Sequence, residues 1–188
     1  MSDEDRLISD NDIMWYNRSA LLKNRENFNF YITTDFATSV KQSADFSVIS
    51  VWAYNNNGDW FWVDGICERQ YVDESIGDLF RLVQMYKPMG VGIEVTGQQG
   101  GFVRWIQEQM MVRNTWFTMT SDGNSNEPGI RPNTNKMQRF NTVVPMFKAK
   151  KIYFPNEMKL SKPMKECMDE LSLVSNAGFK SKHDDFAD

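Results

Sequence analysis

The chain holds one histidine, His183, and two cysteines, Cys67 and Cys167, against 25 aspartates and glutamates. A Cys/His zinc centre or a disulfide framework cannot be assembled from so few ligands so far apart. A Ser-His-Asp or Cys-His hydrolase is open only if His183, followed at once by Asp184, is its base. Any metal must be held by oxygen, which turns attention to the acids. Asp35 ends the alternating string NFNFYITTD, Glu94 stands near the end of the short apolar run GVGIEV, and Asp184, Asp185 and Asp188 crowd the closing HDDFAD. Each alone reads as an ordinary surface carboxylate. Brought to one place they would repel one another strongly, an arrangement that makes sense mainly around divalent cations. Magnesium, a hard ion that takes oxygen ligands, fits.

Whether the acids meet depends on the elements that carry them. Residues 1–26 are polar apart from Ile13, Met14, Trp15 and Tyr16 and read as a leader docked through those rings, with the domain itself at 27–188. NFNFYITTD, DFSVISVWAY and DWFWVDGICE are three β-rich runs, the last two joined across Asn55, Asn56, Asn57 and Gly58, so an antiparallel meander is expected. Asp73 is the expected N-cap of a helix that carries Ile76, Leu79, Phe80, Val83 and Tyr86 and stops at Pro88. GVGIEV then reads as a buried strand. A helix follows through Phe102, Trp105, Ile106, Met110 and Met111, and NTWFTMT reads as another strand. Residues 121–134 hold Gly, Pro, Asn and Ser without apolar periodicity, the mark of a long exposed loop or a flexible hairpin. A helix from about Asn135 to Ala149, a strand at 151–154, a helix with Met164, Cys167, Met168, Leu171 and Val174, and the first turn of one more complete the chain. If the strands of Asp35 and Glu94 are neighbours, both carboxylates leave the same sheet edge, where open α/β sheets place their sites. The last segment adds a third acid if it packs over that edge.

Apolar residues make up 41% of the chain and aromatic residues 13%, which excludes a disordered protein. No apolar run approaches the ~18 residues that span a bilayer, and the acidic start MSDEDRLISDND lacks both regions of a signal peptide. Membrane and secretory classes are therefore not expected. There is no P-loop string, no GxGxxG and no internal repeat. Residues 131–165 carry Arg131, Lys136, Arg139, Lys148, Lys150, Lys151, Lys159, Lys162 and Lys165 against Glu157 alone, inside a chain of net charge −4. Such a stretch serves either as a surface for a polyanion or as a solvated lysine-rich face. Phe30, Phe46, Trp52, Trp60, Phe61, Trp62 and Trp105 read as core rather than as platforms for stacked bases.

The order of the acids carries more than any one of them. A first-strand Asp, a fourth-strand Glu and a closing Asp threaded through β-β-β-α-β-α-β-α resemble the arrangement of a ribonuclease H-like nuclease. YITTDFATSVKQSADFSVISVW resembles the opening of the nuclease domain in tailed-phage terminase large subunits, where an acid-tipped strand is followed by a Lys and a second Asp; here these are Asp35, Lys41 and Asp45. The resemblance continues through VGIEVTGQQGGFVRWI, with Glu94 at the second acid, through KMQRFNTVVPMFKAKKIYFP and into HDDFAD, so that it covers Asn27 to Asp188.

That resemblance implies an α/β fold of the ribonuclease H-like kind, with a mixed β-sheet whose first three strands are antiparallel and whose later strands are parallel, flanked by helices on both faces. It also implies a metal-dependent endonuclease that cuts double-stranded concatemeric viral DNA during genome packaging with little sequence specificity. Two Mg²⁺ or Mn²⁺ ions ~4 Å apart would clamp the scissile phosphate. Asp35, Glu94 and Asp185 would be the catalytic metal ligands, with Asp188 and then Asp184 as alternatives for the third position and Asp45 as an outer ligand. Lys136, Arg139, Lys148, Lys150, Lys151, Arg131 and Lys41 would hold DNA through its phosphates. The family's ATPase domain has no counterpart in this sequence, so the chain is expected to be the nuclease domain alone. Its implied partners are double-stranded DNA, the terminase ATPase domain, the portal and the small terminase subunit. The expected location is the host cell cytoplasm, not the mature virion. Two other readings stand beside this one. The first is a different ribonuclease H-like phosphoryl transferase, such as a junction resolvase or a transposase, and the second is a non-catalytic DNA-gripping module.

Overall fold

The computed structural model describes residues 6–37, 46–95, 100–123, 127–181 and 185–186. Lys41, Asp45, Asp184 and Asp188 lie outside the described residues. A six-stranded sheet forms the centre. Its strands are β1 (Met14–Tyr16), β2 (Asn29–Asp35), β3 (Ser47–Tyr54), β4 (Trp60–Glu68), β5 (Gly90–Ile93) and β6 (Ile152–Pro155), in the spatial order β1-β6-β4-β3-β2-β5. β2, β3 and β4 pair antiparallel, as the meander predicts, and the remaining pairs are parallel. The fold is thus a mixed α/β sheet flanked by helices on both faces.

Alternation along the strands divides the side chains between two apolar layers. Phe30 and Ile32 of β2, Ile49, Val51 and Ala53 of β3, and Val91 and Ile93 of β5 face one way. They pack with α1 (Arg18–Lys23), α2 (Val72–Tyr86) and α3 (Gly100–Arg113) in a large buried cluster. Trp62 of β4 and Ile152 and Phe154 of β6 face the other way, against α4 (Lys136–Lys148) and α5 (Lys162–Leu173). Phe30, Phe46 and Trp62 are buried and Trp52, Trp60, Phe61 and Trp105 partly so, in line with the core assignment.

Four local expectations are corrected. The segment read as a docked leader contributes β1, a sheet strand in parallel register with β6 through Met14–Tyr153, Trp15–Phe154 and Tyr16–Pro155. Three residues are too short to show strand periodicity in the sequence, and only the β6 edge makes them a strand. The N-cap of α2 is Tyr71, whose backbone N–H donates to Glu74 at 2.8 Å; Asp73 sits inside the first turn, where a carboxylate favours the positive end of the helix. NTWFTMT does not build a named strand: it runs beside β5 through a single parallel bridge, Val91–Met119, and Ile130 makes another with Glu94. Ile130 comes close to β5 there: a Cβ on Gly92 would stand 2.9 Å from Ile130 Cδ1. Finally, Asp185 and Phe186 are not helical.

Candidate active site

All parallel strands run toward the same edge of the sheet, and β3 runs away from it. Asp35 is the last residue of β2 and lies opposite Val48, near the start of β3. On its other side β2 is in parallel register with β5, ending at the pair Thr34–Ile93. Glu94 is the next residue, and its N–H donates to Thr34 O at 3.4 Å. Asp35 and Glu94 therefore leave adjacent strands at equivalent positions, with backbones about one strand spacing, ~4.8 Å, apart. Phe30, Ile32 and Phe36, with Val91 and Ile93, turn to the α2 side. Alternation then sends Asp35 and Glu94 to the α4–α5 side. Both acids line one cleft of about 370 Å³ between that face of the sheet and the two helices.

Asp185 lines the same cleft from the far end of the chain. It is only 7% exposed. No helix presents it. Its Oδ2 accepts the backbone N–H of Phe46 at 3.0 Å, just before β3. The next residue, Phe186, packs against Trp62 with ring centroids 6.1 Å apart and donates its N–H to Glu170 Oε1 at 3.0 Å. Glu170, on α5, is 1% exposed. The sequence reading missed it, although one signal was present: an acid on the apolar face of a helix, between Cys167 and Leu171. The two cysteines sit near these acids. Burial, with the nearby carboxylates of Glu166 and Glu170, pushes the Cys67 thiol up to about 12, and burial raises Cys167 well above its ordinary range. Neither is a nucleophile in this setting.

Beneath the acids the cleft is apolar, walled by Trp52, Phe154, Phe140 and Phe147. Arg139, in the first turns of α4, lines it as well and donates to Thr134 O at 2.9 Å. Asn135 sets the start of that helix by accepting the Gln138 N–H at 2.9 Å. Among the described residues no three His, Cys, Asp or Glu side chains are drawn into a ready metal cage; Asp35, Glu94 and Asp185 share a cleft rather than a closed coordination sphere. Their donor set nevertheless fits a hard divalent ion, being carboxylate oxygen throughout, with two of the three donors fixed on neighbouring strands.

The cations expected to hold DNA separate into two groups. Lys148, Lys150 and Lys151 stand at the sheet edge opposite the acids, where Asn29 pairs with Tyr54, Tyr54 with Trp60, and Trp60 with Ile152. There Lys148 meets Asp12 at 2.6 Å, Lys150 meets Asp12 at 3.5 Å and the Asn11 carbonyl, and Lys151 meets Asp59 at 3.1 Å. Lys148 and Lys150 tie the end of α4 to the N-terminal segment, and Lys151 ties the start of β6 to the turn between β3 and β4. Burial works against the charged form of Asp12, but the hydrogen bonds from Lys148 and Ser9 outweigh it and hold the carboxyl below the usual carboxylate range. Arg131 is held within its own loop by Glu127 at 3.3 Å, and Lys136 lies over the Phe179 ring at 5.2 Å. At the acid edge stand Lys162, which belongs to the basic stretch, and Arg69, which the charge count did not single out. Arg69 and Lys162 flank the Phe46 ring at 4.1 and 5.2 Å, and Lys162 also pairs with Glu68.

The terminase RNaseH-like domain family matches residues 32–188. No curated protein sequence matches the chain. Among solved structures it is similar to the human cytomegalovirus terminase nuclease domain, manganese-soaked, with TM-score 0.63 and 14% identity over 95% of this chain and 89% of that one. It is also similar to the large terminase nuclease of the thermophilic phage G20c with bound magnesium, with TM-score 0.59 and 15% identity over 97% and 92% of the two chains. Identities this low speak for the fold, and the family match speaks for descent: the chain belongs to the terminase RNaseH-like domain family.

Proposed function

We propose that the chain is the metal-dependent endonuclease of a viral DNA-packaging terminase, cutting double-stranded concatemeric DNA with little sequence preference in the host cell cytoplasm. One observation carries the reading: Asp35, Glu94 and Asp185, 150 residues apart at the extremes, line one cleft at the carboxyl edge of the sheet. Two Mg²⁺ or Mn²⁺ ions, when bound there, supply an activated water and stabilise the leaving 3′ oxygen. The protein's own part is to hold and orient. Asp35 and Glu94 offer carboxylates from adjacent strand ends, so their separation is set by the sheet rather than by a loop. Asp185 closes the cleft from the α5 side. Arg139 reaches the same cleft and can hold a phosphate oxygen near the scissile bond. Around the edge, Arg69 and Lys162 extend the cationic border, and such contacts position a duplex without reading its bases. Lys41, Asp45, Asp184 and Asp188 keep the roles that the family resemblance gives them. The terminase ATPase domain, the portal and the small subunit are the partners this reading entails.

The test is nicking of a supercoiled plasmid with Mg²⁺ or Mn²⁺, repeated with Asp35→Asn and Glu94→Gln. Metal-dependent cleavage that both substitutions remove supports the reading, whereas substantial activity in both variants rules it out. Binding without cleavage would favour a DNA-gripping module. Preference for a four-way junction over linear duplex would favour a resolvase.

A further inference from the structure

Among the described residues, Phe46, Glu170 and Phe186 hold the segment that carries Asp185. Asp185 belongs to no helix or strand of the structure, so no regular element fixes its direction. Among the described residues, two hydrogen bonds from backbone N–H to carboxylate fix it, one to its own side chain and one from the next residue. Asp185 Oδ2 accepts the Phe46 N–H at 3.0 Å, and Glu170 Oε1 accepts the Phe186 N–H at 3.0 Å. The Phe186 ring fills the space between them, packing against Trp62 and against the small cluster of Phe46, Val48 and Cys67. Glu170 is 1% exposed on an otherwise apolar helix face beside Met164, Cys167 and Leu171. A carboxyl placed there costs desolvation that an apolar side chain would avoid. A carboxyl at such a place can do what packing alone cannot, which is to accept a hydrogen bond.

We propose that Glu170 is a positioning residue: by accepting the Phe186 N–H it locks the chain beyond Asp185 and so aims Asp185 into the metal cleft. This rests on the reading of Asp185 as a metal ligand. The role needs an acceptor at that point rather than a negative charge, so Gln should serve and Met, of similar shape but with no such acceptor, should not.

The experiment measures Mn²⁺ binding by calorimetry and Phe186 amide exchange by NMR, both without DNA, in the wild type, Glu170→Gln and Glu170→Met. Wild type and Glu170→Gln should bind alike and keep the Phe186 amide protected. Glu170→Met should lose that protection and weaken Mn²⁺ by about ten-fold, the scale seen when an orienting partner of a ligand is lost. If Glu170→Met does not fold, Glu170→Asp, which withdraws the carboxyl by one methylene, replaces it with the same expected direction. Equal Mn²⁺ affinity in all variants would overturn the proposal. So would a Gln variant as weak as the Met variant, since charge and not hydrogen bonding would then be at work, and so would a Phe186 amide that exchanges freely in the folded wild type. A wild type that binds no Mn²⁺ at all would instead remove the underlying reading of Asp185.

Discussion

The two ends of the sheet treat charge in opposite ways. At the end where the parallel strands begin, each of the basic residues Lys148, Lys150 and Lys151 has found a carboxylate, Asp12 or Asp59, and the pairs tie the N-terminal segment and the β3–β4 turn to the turn between α4 and β6. At the end where those strands finish, Asp35, Glu94 and Asp185 line one cleft together, with Arg139 beside them and Glu170 bonded just behind. Matching opposite charges makes a corner that holds itself. Collecting like charges works against folding and is sustained where a ligand of opposite sign can occupy the cluster. The comparison teaches that the positive charge counted along the sequence is not one surface: part of it is mortar at one edge, while Arg139 lines the cleft and Lys162 stands at the acid edge.

The sharpest break of that comparison is removal of one acid from each end. Asp35→Asn or Glu94→Gln should lower plasmid cleavage at least ~100-fold, the scale of a lost transition-state contact. Melting of the metal-free protein should stay unchanged or rise, because a repelling charge is gone. Asp12→Ala should do the reverse, leaving cleavage near wild type while costing roughly 1–2 kcal/mol in urea unfolding, the range for a buried hydrogen-bonded carboxylate whose lysine partner is half exposed.

The Asp12 effect has a direction in pH. Its folded-state pKa is depressed below the ordinary 3.8, so the stabilisation is fully present above the unfolded value and drains away as pH falls toward the folded one. Unfolding of wild type and Asp12→Ala at pH 6 and pH 3 should show the difference shrinking at the lower pH. A gap that widens toward acid would mean that the ion pair is not what Asp12 contributes.

The two groups of cations can be told apart by salt. Replacing Lys148, Lys150 and Lys151 together by Ala should leave the slope of log DNA affinity against log salt where it is, whereas Arg139→Ala should flatten it by about one phosphate equivalent. Slopes from a fluorescence titration decide the matter, and the reverse ranking would return the three lysines to the DNA surface. Smallest in energy is the effect on the cysteines. With Cys67 and Cys167 buried and their thiols raised, neither should react with a thiol reagent at pH 8 until the protein unfolds. Fast labelling of the folded protein would show that the α5 side of the acid edge opens readily.

Much of this was written locally. Period-two alternation from Asn29 to Glu68 marks three strands, Asn55 to Gly58 marks their turn, and the spacing of Ile76, Leu79, Phe80 and Val83 marks α2, because exposure and burial repeat with the geometry of each element. The positions of Asp35 at one strand end and Glu94 just past another were legible for the same reason. What the tertiary structure decided is which charges meet. Lys148 finds Asp12 across 136 residues and Asp185 finds Phe46 across 139. Nothing in either neighbourhood announces the other, since only sheet order and helix packing bring them together. Tertiary packing likewise made a strand of Met14 to Tyr16 by giving it β6 to pair with, and gave Glu170 its purpose by placing the Phe186 amide against a helix face that sequence alone reads as core. Periodicity records how far a side chain lies from water; it carries no record of which distant partner waits there.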